Sequence, residues 1–170
     1  SRVRLLFVKW VAGVIFAAVL VTVLGVTALG LARLFFSWQG LFVFVPGQAF
    51  SVLSAHEGFF RYLCAHAFLV VNASTVLSIA FMFSCFNMKP AAATILALSY
   101  LFVNLVMEGI PFFDRYEHWF ITHHFRCWLM VFNDPIPTWQ IVQSQMLLLA
   151  ASATVFVIGS TAFHVRDIKS

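Results

Sequence analysis

The sequence predicts an all-α, polytopic membrane protein: four transmembrane helices, with an interfacial or re-entrant helical segment before the last. Two observations carry this. Hydrophobic residues make up 62% of the 170 residues and charged ones 9%, against roughly 25% charged in soluble domains. The apolar residues are also gathered into four runs free of charge, each about as long as a hydrocarbon core requires. A soluble globule of this length has too little interior to hide so much apolar surface.

The runs are Trp10 to Ala32, Tyr62 to Phe86, Ala91 to Met107 and Ile141 to Phe163. The third reaches full length when it continues to Ile110, giving spans of about 10–32, 62–86, 91–110 and 141–163 in a single transmembrane domain. One charge at a helix centre costs about 2.5–3.5 kcal/mol on the insertion scale, so four clean windows are a strong signal. Each is expected to be helical, because lipid offers the backbone no hydrogen-bond partner.

The connections follow. Residues 33–61 form a first loop, with Pro46-Gly47 as a turn signal and enough aromatic residues to lie in the interface. Asn87-Met88-Lys89-Pro90 is a tight turn, and Pro90 suits the first turn of a helix, where a missing N–H costs nothing. Residues 111–140 form the second loop. Arg2, Arg4, Lys9, Lys89, Arg166 and Lys169 crowd into three short segments on one side, while Arg33, Arg61, Arg115 and Arg126 are spread over the two long loops. The positive-inside rule then puts both termini in the cytoplasm and the loops outside, as in a plasma (inner) membrane.

Small residues at four-residue spacing (Gly13 and Ala17, Ser74 and Ser78, Ala93 and Ala97) mark expected helix–helix contacts. Asn72, Ser74, Thr75 and Asn104 are read as hydrogen-bonding glue between helices, or else as a polar patch on a translocation path. Cys64, Cys85 and Cys127 form no C-x-x-C and too few pairs for a disulfide framework. The basic residues form no stripe, so nucleic acid is not an expected partner.

The second loop holds three of the six His, three of the five Trp and three of the five Pro. Asp114, Glu117, His118, His123 and His124 are metal-ligand types. On one regular helix, however, Asp114 and His118 share a face, Glu117 and His124 share another, and His123 and His124 point about 100° apart. There is no H-E-x-x-H, so no metal or other cofactor is expected. His66 and His164 fall near opposite ends of different spans and cannot face a common haem iron. No G-x-S-x-G elbow is present. The aromatic content, including Trp119, Trp128 and Trp139, instead fits an interfacial collar of one or two short helices, with Asp114, Arg115, Glu117 and Arg126 toward water. Asp134-Pro135-Ile136-Pro137 then breaks the chain before the last span.

Three places carry a family resemblance. Ser1-Arg2 followed by Lys9-Trp10 at the head of a span resembles the end of a cytoplasmic coupling loop. Ile110-Pro111-Phe112, Trp119, Trp128 and Pro135-Ile136-Pro137 resemble a re-entrant segment before a last helix. Phe163-His164-Val165-Arg166-Asp167-Ile168 resembles a short tail of the form F-x-R-R-D-I, with Val165 in place of the first Arg. In this order and spacing the chain resembles the permease subunit of a type-2 ATP-binding-cassette exporter, over essentially all 170 residues. The resemblance implies helices three to six of six, a second permease subunit as partner, and a separate ATPase subunit docked near Arg2, Arg4 and Lys9. The sequence holds no G-x-x-x-x-G-K-[ST], so nucleotide chemistry is expected on that partner and no catalytic residue here. A non-transporting membrane scaffold, or a membrane enzyme using the loop histidines, are the competing expectations.

Overall fold

A computed structural model describes residues 2–37, 39–46, 49–86 and 88–166, without the side chains of Arg2 and Arg166. Ser1, Gly47, Asn87, Asp167, Ile168, Lys169 and the side chains of Arg2 and Arg166, all invoked from the sequence, lie outside what is described. Four helices are long and apolar enough to cross a membrane. They are α1 (Arg2–Phe35), α2 (Ala55–Cys85), α3 (Pro90–Glu108) and α5 (Thr138–Arg166); the short helix α4 (Ile121–Phe125) precedes the last. A 3-10 stretch flanks α4 on each side, Pro111–Trp119 before it and Arg126–Phe132 after it.

α1, α2 and α5 begin before the apolar runs that announce them, while α3 ends at Glu108, two residues short of the expected Ile110. α1 has 34 residues, about 51 Å at 1.5 Å per residue, against a hydrocarbon core of about 30 Å. Hydropathy marks only the part of a helix that lipid must accept. The hydrogen-bond ladder continues into residues such as Arg4, Lys9 and Arg33, whose long side chains can reach water from a helix end. α2 begins seven residues earlier than its apolar run. Ser54 caps it, its Oγ accepting from the Glu57 N–H at 3.3 Å. Ser54-Ala55-His56-Glu57 has the Ser-x-x-Glu form that marks helix starts. Pro90 takes the first turn of α3 as its chemistry requires.

α2 is the hub, packing on α5, α1 and α3. Phe7 and Trp10 of α1 lie against Phe156 of α5, with ring centroids 6.0 and 5.1 Å apart. The starts of α1 and the end of α5 therefore share one end of the bundle. Trp10 Nε1 donates to Ser78 Oγ at 2.9 Å, and Tyr62 OH donates to the Gly25 carbonyl at 2.8 Å, so α1 and α2 run antiparallel. Gly25 is required by close approach: a Cβ there would lie 2.1 Å from His66 Nε2. His66 packs on Tyr62 at 4.2 Å, and its Nδ1 lies 3.1 Å from the Tyr62 carbonyl, so this histidine is a satisfied packing group.

Small-residue spacing finds its partners. Ala93 and Ala97 are buried on α3, and Ala17 is buried on α1 beside Gly13, which approaches Leu77. At the centre, Ser152 Oγ donates to Thr75 Oγ1 at 3.0 Å, joining α5 to α2. Ser78 and Leu148 are fully buried there. The expected glue divides in two: Asn72 and Thr75 bond across elements, while Ser74 and Asn104 bond back to their own helices, at Val70 O and Tyr100 O.

The first loop is not irregular. Two strands pair antiparallel, β1 (Gly40–Val45) against β2 (Ala49–Ser54), with Leu41 facing Leu53 and Val43 facing Ser51. One face, with Leu41, Val43 and Leu53, packs on Ala65, Trp128 and Phe132. The other leaves Phe42, Phe44, Phe50 and Val52 exposed, Phe50 standing edge-on to both of its aromatic neighbours. The expected interfacial loop is thus a two-faced apolar ribbon. Alternating Leu-Phe-Val-Phe-Val is a strand pattern, and pairing satisfies the backbone that an unpaired loop would leave bare near lipid.

Candidate functional site: the collar before the last helix

Residues 109–137 close the end of the bundle that also carries the hairpin. Pro111 opens the first 3-10 stretch, and the chain turns at Phe120 into extended geometry before α4. This break decides the site. On a continuous helix His118, His123 and His124 diverge; across a break they converge. The His118 and His123 rings stand perpendicular with centroids 5.2 Å apart, and those of His123 and His124 do the same at 5.4 Å. The sequence argument against a common cluster assumed one regular helix, and the kink at Phe120 removes that premise.

Three donors meet here. Glu117, His118 and His123 each offer one ligand atom, all within 4.8 Å of one another. His118 Nε2 lies 3.9 Å from Glu117 Oε1, and His123 Nδ1 lies 3.9 Å from Glu117 Oε2. His123 Nδ1 is also 3.6 Å from Oε1 of Glu108, the last residue of α3. The Glu108 side chain is only 4% exposed. Its Oε2 accepts from Thr122 Oγ1 at 3.0 Å. Arg126 Nη2 stands 2.9 Å from Oε1 as a charge contact, yet that oxygen is buried without a hydrogen bond of its own. Burial holds the His123 pKa below its ordinary value, against an upward pull from Glu117; its neighbour His124 pushes it further down.

His124 takes a different role. It is buried, with Nδ1 3.1 Å from Ser144 Oγ on α5 and Nε2 3.0 Å from the His118 carbonyl. It ties the first 3-10 stretch to the last span. Cys127 is wholly buried beside Gln145, whose Nε2 donates to its Sγ at 2.8 Å, and burial pushes this thiol's pKa up. Asp114 and Arg115 are exposed. Trp119 is 84% exposed and Trp139 70%, as an aromatic belt requires. Trp128, expected in the same belt, turns inward onto the hairpin and Phe132.

The collar dips into the bundle. Asn72 Nδ2 donates to the Phe125 carbonyl at 2.9 Å. Asn72 stands about 20 Å along α2 from Cys85, whereas α3 rises about 27 Å from Pro90 to Glu108. The turn between α4 and the second 3-10 stretch therefore sits below the level at which α3 ends. Non-helical backbone is tolerated at such depth only when protein satisfies it. Here α2 does so: besides Asn72, Arg61 Nη1 donates to the carbonyls of Val131 at 3.1 Å and Asn133 at 2.9 Å, and Arg61 is ion-paired to Glu57. Arg61 had been placed in the first loop by its charge. It lies in α2 and is 6% exposed.

Beside Arg61 a cleft of about 330 Å³ opens between α2 and the base of α5, lined mostly by apolar groups including Phe60, Phe68, Ile141 and Val142, with Glu57 and Arg61 at its polar edge. At the opposite end of the bundle Arg4 and Lys9 are exposed. No family model matches the chain, and no curated protein and no solved structure matches it.

Sequence reasoning missed Glu108, Thr122, Ser144 and Gln145 as collar partners, and named Arg126 only as a water-facing group, not as the partner of Glu108. One signal was available: Glu108 is the lone acid at the end of an apolar run, a place that asks for a partner.

Proposed function

We propose that this chain is the membrane-embedded part of a type-2 ATP-binding-cassette exporter permease, supplying helices three to six of a six-helix subunit. The observation that carries the reading is the broken helical collar wedged between α2 and α5 immediately before the last span. That is the arrangement expected of the family's re-entrant segment, at the place where Ile110-Pro111-Phe112 and Pro135-Ile136-Pro137 suggested it.

In this reading α1 to α5 work without a catalytic residue. A second permease subunit faces the first across the bilayer, and separate ATPase subunits dock at the end that carries Arg4 and Lys9. The distribution of basic residues supports a cytoplasmic position for that end in the cell membrane. Closure of the ATPases on ATP then tilts the helices, and α2 and α5, joined through Thr75 and Ser152, carry the collar with them. The cleft between α2 and α5, apolar with a charged edge, suits an amphiphilic cargo.

The test uses the full open reading frame, co-expressed with the ATP-binding-cassette ATPase encoded nearest to it. The proposal expects co-purification and ATP hydrolysis in liposomes, both weakened in an Arg4→Glu/Lys9→Glu variant. Failure of the two proteins to associate overturns it. Stable association with no ATP-dependent movement of any amphiphile across the vesicle points to a scaffold instead.

A further inference from the structure

We propose that Glu117, His118 and His123 form a binding site for a single zinc-class divalent cation at the collar face, with Glu108 as the buried carboxylate behind it. The inference does not depend on transport and would stand if the chain had no ATPase partner.

The donor set selects the class of ion. Two imidazoles and one carboxylate suit zinc and its neighbours, whereas magnesium and calcium prefer all-oxygen sites. Three protein donors also leave a position open to water, the pattern of exchangeable or reactive zinc centres. A cation about 2.0–2.1 Å from each donor needs tetrahedral donors about 3.4 Å apart. Glu117 stands 3.9 Å from each histidine, through Oε1 to His118 and through Oε2 to His123, and the three donor atoms, one per residue, lie within 4.8 Å of one another, so side-chain rotation has to draw them in. His118 is free to rotate, being 74% exposed at its side chain.

A second, independent observation points at the same place. Glu108 is a nearly inaccessible carboxylate whose Oε1, ion-paired to Arg126 Nη2 at 2.9 Å but without a well-formed hydrogen bond, also faces His123 Nδ1 at 3.6 Å. Two carboxylates, Glu108 and Glu117, face His123, and Arg126 pairs with Glu108, so a cation held by the histidines would bring positive charge to Glu117. A bound ion would clip the first 3-10 stretch to α4 across the break at Phe120.

The test uses the full chain in detergent or nanodiscs, purified with a tag that contains no histidine. After loading with Zn²⁺ and desalting, elemental analysis is expected to find one equivalent per chain. Co²⁺ is expected to give the visible absorption of a tetrahedral site. The His118→Ala/His123→Ala variant is expected to lose both, and Glu108→Gln to weaken binding by about 10–100-fold, as loss of an outer-shell partner does. A His56→Ala/His164→Ala variant, lacking two exposed histidines elsewhere, is expected to bind as the native chain does. Zn²⁺ should raise the unfolding temperature of the native chain and leave the double variant unmoved, while melting in a chelator shows whether each variant folds. If a second preparation, Glu117→Gln, and the double variant both fold and bind Zn²⁺ and Co²⁺ as the native chain does, the site does not exist. Failure of the folded native chain to retain Zn²⁺ overturns it equally.

Discussion

Pro111–Trp119 and Arg126–Phe132 are both 3-10 stretches, and α4 lies between them. The first buries none of its residues, while the second buries Cys127, Val131 and Phe132. Their composition explains part of the contrast: Asp114, Arg115, Glu117 and His118 in one, a run from Cys127 to Phe132 without a charge in the other. Composition alone does not make irregular backbone welcome inside a bundle. The second stretch is admitted because α2 reaches across to it, Asn72 and Arg61 satisfying carbonyls on either side. The exposed stretch has the chemistry and the buried one has the anchorage, and both hang on the kink at Phe120.

Removing the anchorage should have the largest effect. Arg61→Met leaves the Val131 and Asn133 carbonyls without their charged donor, a loss of about 2–3 kcal/mol for hydrogen bonds of this kind. The expected result is a lower unfolding temperature and new protease cleavage within 126–137, while the 111–119 stretch, already exposed, is cut as before. Cleavage confined to the first stretch would show that the second is held by burial alone.

Next in size is Gly25→Val. It drives a side chain into His66 and should cost about 1–3 kcal/mol, as overpacking does. The effect belongs to the α1–α2 contact, so the collar should stay protected when amide exchange is followed segment by segment. Loss of collar protection would mean that α1 supports it through α2.

Ser152→Ala removes the Thr75 bond at the bundle centre. Buried hydrogen bonds between membrane helices average about 0.6 kcal/mol, so a change of that order is expected in a reversible unfolding titration. Trp119→Ala is the mildest. Its ring is almost wholly exposed, so stability should shift by less than about 0.5 kcal/mol. Quenching of the chain's tryptophan fluorescence by bromine-labelled lipids should fall, however, if this exposed stretch lies in the interface. A similar fall from Trp128→Ala, without loss of stability, would reverse the assignment of inner and outer aromatic residues.

Much of the architecture was legible because lipid imposes a one-dimensional rule. An uncharged run of sufficient length must become a helix, and Ala93 with Ala97 on α3, or Gly13 with Ala17 on α1, can be picked out by spacing alone. The hairpin was not found. Its alternation of Val and Phe is apolar on both faces, so it lacks the polar beat that marks a strand in water. The start of α2 was missed for a different reason: hydropathy is silent about Ser54-Ala55-His56-Glu57, although the capping pattern stands there.

The candidate site was half legible. Glu117, His118, His123 and His124 were singled out by residue type, and Trp119 is exposed where an interfacial ring was expected. Which histidines would meet was decided by Phe120, where one extended residue turns a divergent set into a convergent one. Glu108 and Arg126 joined them through the end of α3, contacts that local sequence cannot encode. Sequence by itself settled where this chain can tolerate hydrocarbon, because transfer free energy is summed residue by residue along each run. Only the tertiary structure decided which polar groups meet, because hydrogen bonds and ion pairs depend on distances of a few ångströms between segments far apart in the chain.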